Sequence, residues 1–223
     1  MGNGKIVRLS LISSLAGLAA VYATALSTSQ RITPIAKIDN SFIGARVIIS
    51  GQIIDVQSSG NKHMFLKIKD DSGGIITVPI FSNLASKLTL TIGLLDYVEI
   101  RGNVSVYQNE LEVIPSKPED IKIVHTAPAS ISEIKEENLG KPVKVYGIVS
   151  SREIIGAGNI ILNIGENGRK LKVFIPSKIV EGIPEVHVGD EVVIGGWLQL
   201  YNNEIELKVT SHLCIQKLET FLK

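Results

Sequence analysis

A chain of 223 residues is too long for one minimal module and suits two domains of roughly 90 residues plus a leader. Apolar residues make up 44% and aromatics 5%, so the cores are aliphatic, and the single cysteine, Cys214, excludes an internal disulfide framework. The net charge of +1 gives no general basic excess: residues 35–124 carry nine Lys/Arg against ten Asp/Glu, and residues 131–219 ten against twelve. A nucleic-acid partner therefore requires charge gathered on one face.

Residues 1–30 form the expected leader. Lys5 and Arg8 precede Leu9–Leu26, an uncharged run rich in Leu, Ala and Ser. As a helix this run would reach about 27 Å at ~1.5 Å per residue, just short of a ~30 Å hydrocarbon core. Basic residues before an apolar run hold the N-terminus inside and carry the downstream chain outward. Three readings fit: a signal peptide cleaved near Ala23-Thr24-Ala25, a helix buried against the first domain, and a retained anchor, which the length of the run favours. The resulting expectation is a membrane tether through Leu9 to Leu26 with extracytoplasmic modules; the cytoplasmic side is the alternative.

The rest of the chain says nearly the same thing twice. Ile35-Ala-Lys-Ile-Asp-Asn-Ser-Phe-Ile-Gly44-Ala-Arg-Val-Ile-Ile-Ser-Gly51 returns as Ile131-Ser-Glu-Ile-Lys-Glu-Glu-Asn-Leu-Gly140-Lys-Pro-Val-Lys-Val-Tyr-Gly147. Tyr107-Gln-Asn-Glu-Leu-Glu-Val113 returns as Tyr201-Asn-Asn-Glu-Ile-Glu-Leu207. A period of this size marks a small complete domain rather than a solenoid unit. The spacing predicts domains over 31–126 and 127–223.

Period-two alternation runs through both copies. In the first, Val47, Ile49, Gly51 and Ile53 share one face. Met64, Leu66 and Ile68 alternate with His63, Phe65, Lys67 and Lys69. Asp70-Asp71-Ser72-Gly73-Gly74 is turn chemistry that leads into Ile76, Val78 and Ile80. Residues 82–90 hold room for one short helix, Val98 and Ile100 face inward from a fourth strand, and Asn109 turns it into 111–114. The second copy repeats the order through Val143/Val145, Ile160/Leu162/Ile164, Leu171/Val173/Ile175, Val192/Ile194 and Ile205/Leu207, with its helix confined between Pro176 and Val188. The mid-strand glycines Gly51 and Gly147 mark where a long first strand bends to serve both sides of a closed barrel. The pattern predicts an all-β protein: two tandem five-stranded Greek-key barrels preceded by a hydrophobic N-terminal helix.

Four features resemble the OB-fold: Gly-x-Ile/Val in strand one, the acidic-then-glycine hairpin turn, Asp-x-Val-x-Ile running to Gly in strand four, and Tyr-x-Asn-Glu-Ile/Leu-Glu into strand five. The chain is similar to the nucleic-acid-binding kind found in anticodon-binding and exonuclease-associated modules, over both copies and not over the leader. The resemblance implies single-stranded nucleic acid held on the face of strands two and three, by cationic groups for phosphates and rings for bases. His63, Phe65, Lys67 and Lys69 on strand two of the first copy fit that expectation, with Phe81 on strand three and Arg46 on strand one. Lys170, Lys172 and Phe174 on strand three of the second copy fit it too, with Lys144 and Tyr146 on strand one. Tyr107 and Tyr201 sit at the turn into strand five, able to stack on a base or to pack across the hairpin. The acidic residues Glu110, Glu112, Glu136, Glu137, Glu204 and Glu206 are expected elsewhere.

The competing reading is that these are ordinary exposed strand faces or inter-domain contacts, the latter being the natural role of Trp197. The leader and the slightly acidic modules support a second function, an extracytoplasmic module for a protein, glycan or small ligand. In arrangement it resembles membrane-anchored OB-fold haem chaperones, but Cys214-Ile-Gln-Lys-Leu218 lacks the tyrosine that haem attachment would need. No nucleophile motif, P-loop or metal spacing is present among His63, His125, His187 and His212, so neither catalysis nor a cofactor or metal is expected. Aliphatic cores with Lys/Glu-rich surfaces are compatible with a thermophilic source.

Overall fold

Alternating Ile/Val strands closed by Asn/Gly turns set the architecture. The computed structural model describes residues 10–11, 13–19, 31–59, 62–88 and 91–218. The leader, Met1–Arg31, is a unit of its own. Its described residues 10–11 and 13–19 are helical and exposed. Among the described residues no helix is long and apolar enough to cross a membrane. Much of the expected span Leu9–Leu26, with Ala23-Thr24-Ala25, lies outside the described residues.

The second unit, Ile32–Lys223, holds both barrels. The first contains β1 (Arg46–Ser58), β2 (Met64–Lys69), β3 (Ile75–Ile80), β4 (Tyr97–Tyr107), β5 (Glu110–Ile114) and β6 (Ile121–Val124). β1 pairs antiparallel with β2 and β4, β2 with β3, and β4 with β5; a parallel β3–β5 bridge closes the ring. The second copy repeats this closure with β7 (Pro142–Ile155), β8 (Asn159–Glu166), β9 (Arg169–Ile175), β10 (Glu191–Tyr201) and β11 (Glu204–Lys208). The closed order, first–second–third–fifth–fourth–first, is that of the OB-fold. Each copy also carries a short sixth strand, β6 or β12 (Ile215–Lys217), against β4 or β10. Alternation over three or four residues was too short to reveal it.

The expected bend is present. Residues 46–52 of β1 pair with β4 and residues 52–58 with β2, with a register shift between Ile53 and Asp55. At Gly51 the strands cross so closely that a Cβ would lie 2.5 Å from the Lys69 carbonyl oxygen. Ile49, Ile53, Leu66, Ile68, Val78 and Ile100 fill the first core, and Val145, Ile164, Val173, Ile175 and Ile194 the second. All of these but Leu66 are β-branched, and such side chains, with few χ1 choices to lose, suit a pleated wall. The helical inserts are single turns, Ser82–Ala85 and Ser177–Val180.

Two devices recur in both copies. A carboxylate at the turn between the second and third strands caps the segment that opens the module: Asp70 Oδ2 accepts from Ile35 N at 2.7 Å, and Glu166 Oε2 from Ile131 N at 2.8 Å. The residues ahead of each barrel lie along its first strand, with Thr33 N donating to Ile48 O and Ala129 N to Lys144 O. Ile48 and Lys144 thus occupy equivalent, covered positions.

The barrels meet at the loop before β4. Asp96, fully buried, accepts from Gly93 N and Thr126 N, lies 2.9 Å from His125 Nδ1, and pairs with Lys144 Nζ of the second barrel. Burial pushes the Asp96 carboxyl up, but hydrogen bonds from Lys144, Thr126 and His125 prevail and hold it below the usual carboxylate range. Beside it Leu94 packs on Gly195, where an added Cβ would come within 2.9 Å of Leu94 Cβ.

Candidate nucleic-acid interface

Strand pleat places Lys69, Lys67 and Phe65 in one outward row on β2, because Leu66 and Ile68 between them are buried in the barrel. Lys67 and Lys69 are exposed and, among the described residues, take part in no ion pair. Phe65 lies half-buried between Gln57 of β1 and Pro79 of β3. The row continues to His63, whose Nδ1 accepts from Ser82 N at 2.9 Å, leaving Nε2 to carry the proton. The His63 ring meets Phe81 edge-on, centroids 5.6 Å apart, and Phe81 remains 42% exposed.

In the second barrel Lys170, Lys172 and Phe174 form the matching outward row on β9. Lys170 is exposed, whereas the Lys172 ammonium is bound to Glu204. That hydrogen bond raises the Lys172 pKa and lowers that of Glu204.

Each barrel has a groove at the same place. In the first, of about 360 Å³, Ile35, Ile38, Lys67, Thr77 and Glu110 line it. In the second, of about 570 Å³, Ile131, Ile134, Lys170, Lys172 and Glu204 do. The cations sit on the second strand in one copy and on the third in the other. Tyr107 and Tyr201, 63% and 56% exposed, stand on the turns leading into Glu110 and Glu204.

Three of the residues expected on this face are elsewhere. Lys144 is only 7% exposed: the incoming residues at Ala129 cover it and its ammonium is taken by Asp96. Alternation predicted an outward side chain and could not show the segment lying over it. Arg46 lies opposite Asn103 of β4, away from β2 and β3, with its guanidinium 2.7 Å from the buried Asp120. Tyr146 pairs with Val193 of β10, and its hydroxyl pKa is raised by partial burial, by a hydrogen bond to Glu191, and by the charges of Glu191 and Glu166. The expected separation of acids from lysines also fails on one edge. Barrel closure sets Glu112 opposite Thr77 and Glu206 opposite Lys172, a pairing distant in sequence. Burial pushes the Glu112 carboxyl up.

A larger cleft, about 930 Å³, opens between the barrels, with Gln57, Lys62 and His63 on one wall and Trp197, Lys208 and His212 on the other. The sequence pointed to two of its lining residues, His63 as part of the β2 row and Trp197 as an inter-domain contact, but not to a cleft. Ser58 Oγ lies 3.1 Å from His212 Nδ1 across the junction. Among the described residues no group of three or more His, Cys, Asp or Glu is placed to hold a metal ion.

Residues 47–123 match the family model described as the OB-fold nucleic acid binding domain. The match runs from β1 into β6, which is the first barrel. Among solved structures, asparaginyl-tRNA synthetase from Pyrococcus horikoshii is 20% identical over 44% of this chain and 24% of that one, with a TM-score of 0.36. The p202 HIN1 domain in complex with 12-mer double-stranded DNA is 16% identical over 83% of this chain and 99% of that one, with a TM-score of 0.44. OBody AM1L10 bound to hen egg-white lysozyme is 21% identical over 44% and 96%, with a TM-score of 0.36. No curated protein matches the chain.

Proposed function

We propose that this protein binds single-stranded nucleic acid on the outer faces of β2–β3 and β8–β9, without marked sequence choice. The observation that carries the reading is the outward row of half-buried Phe65 and exposed Lys67 and Lys69 on a barrel whose sequence matches the OB-fold nucleic acid binding domain. Unpaired ammonium groups neutralise phosphates and release counterions, while a ring at the end of the row offers a stacking surface to any base. The second barrel supports the same role with Lys170 and Phe174, and linking two weak faces in one chain raises the effective concentration of the second. Tyr107 and Tyr201 offer further rings at the groove edges. The role is one of binding rather than catalysis. Leu9–Leu26 would tether the barrels to a membrane, which alkaline extraction of membranes tests: an integral anchor stays in the pellet.

The test is fluorescence anisotropy with a labelled 20-nucleotide oligothymidine. Lys67→Gln/Lys69→Gln should lose about tenfold in affinity, with a salt slope shallower by about 1.4 for two lost phosphate contacts at ~0.7 each. Phe65→Ala and Phe174→Ala should each lose about 1–3 kcal/mol of stacking. Wild-type affinity in all three variants would refute the assignment of these faces.

A further inference from the structure

The cleft between the barrels lies where the two outward rows end. Along β2 the row runs Lys69, Lys67, Phe65 and then His63, which lines the cleft. Along β9 it runs Lys170, Lys172, Phe174 and then Pro176, which also lines it. The rims connect sideways too: Gln57 pairs with Phe65 in the first barrel and Lys208 with Phe174 in the second, and both Gln57 and Lys208 are wall residues. Each row covers seven residues, about 20 Å over six steps of ~3.3 Å.

The chemistry of the cleft matches that of the rows. Lys62, Lys178 and Lys208 reach it from the β1–β2 loop, the single-turn helix after β9, and β11; all three are exposed and, among the described residues, none is in an ion pair. Asp55 and Glu181 are the two carboxylates on the walls, so the ammonium groups prevail. Trp197, the protein's single tryptophan, is half-buried in the wall, on the face of β10 that turns away from the barrel core. A volume of about 930 Å³ exceeds that of either barrel groove.

We infer that this cleft is the middle of one continuous track. A single strand lying on β2 passes between the barrels, with its phosphates against Lys62, Lys178 and Lys208 and a base against Trp197, and continues onto β9. This rests on the nucleic-acid reading above, and it adds that the ligand bridges the modules rather than occupying two independent sites. The cross-barrel contacts of Ser58 with His212, and of Asp96 with Lys144, then fix the spacing of the two halves.

The test uses the whole protein, a labelled 20-nucleotide oligothymidine, and Trp197 emission as a reporter inside the cleft. The track requires that saturation with oligonucleotide changes Trp197 emission with the same midpoint as the anisotropy. It also requires that Lys62→Gln/Lys178→Gln/Lys208→Gln lowers affinity at least tenfold and makes the salt slope shallower by about 2, three contacts at ~0.7 each. An oligonucleotide that binds the wild-type protein while leaving Trp197 emission unchanged, or a triple variant with wild-type affinity and slope, would overturn the track and leave the outer-face reading standing. Absence of binding to the wild-type protein would overturn both.

Discussion

Lys144→Met tests the junction most sharply. The Asp96 carboxylate is fully buried and Lys144 only 7% exposed, so removing the lysine leaves a charge inside the protein without its counter-ion. Breaking a buried pair from one side costs ~3–5 kcal/mol. Asp96 keeps hydrogen bonds from Gly93 N and Thr126 N, which puts the expectation at the lower end, about 3 kcal/mol. For a chain of this size that is a fall in Tm of about 6–12 °C. The pH dependence has a definite sign. In the wild-type protein the lowered carboxyl stabilises above its unfolded pKa of ~3.9, and this is lost in acid. In the variant burial acts unopposed by Lys144, so the carboxyl rises, and the penalty falls on the neutral side. The deficit between the two should be largest near pH 7 and shrink towards pH 4. Asp96→Asn/Lys144→Met should recover part of the loss. Calorimetry at several pH values measures all three; a fall below about 2 °C at pH 7, or a deficit that grows in acid, would refute the role given to the pair.

Three further outcomes rest on the same contacts. Arg46→Gln should leave oligonucleotide binding unchanged and lower stability by about 1–2 kcal/mol, since Asp120 is buried while the guanidinium is partly screened by solvent; denaturant melts and anisotropy read the two effects separately. Burial pushes the Asp70 carboxyl up, but hydrogen bonds from Ser72 and from Ile35 N prevail and lower it, and bonds from Ser130 and Ile131 N lower Glu166; both should contribute to a fall in Tm as pH drops below about 4, and Asp70→Asn should flatten that fall. Burial pushes the Cys214 thiol up to about 12, so a thiol reagent at pH 8 should leave the native protein unmodified and label it fully in denaturant, as mass spectrometry would show.

The barrels were legible because local signals agreed. Alternation gave the inward faces, Asp70-Asp71-Ser72-Gly73-Gly74 marked a hairpin turn, and duplication repeated each reading. The row Phe65, Lys67, Lys69 came from the same periodicity. The features that escaped depended on contacts distant in sequence. Lys144 shares its alternation with truly exposed lysines, and it is the segment crossing at Ala129 together with Asp96 and Thr126, all distant from it along the strand pattern, that bury it. Glu204 looked remote from Lys172 until parallel closure of the barrel joined their strands. Arg46 was expected beside β2, but β1 changes partner along its length, so its first half faces β4 instead. The cleft belongs to neither module and has no periodicity of its own.

Anisotropy of a labelled 20-nucleotide oligothymidine with the wild-type protein, measured from about 50 to 200 mM salt, addresses the proposed function without any variant. The account predicts binding at low salt that weakens on a log–log slope of about −2 to −4, corresponding to roughly three to six phosphates at ~0.7 each. No binding at 50 mM salt, or binding indifferent to salt, would contradict it.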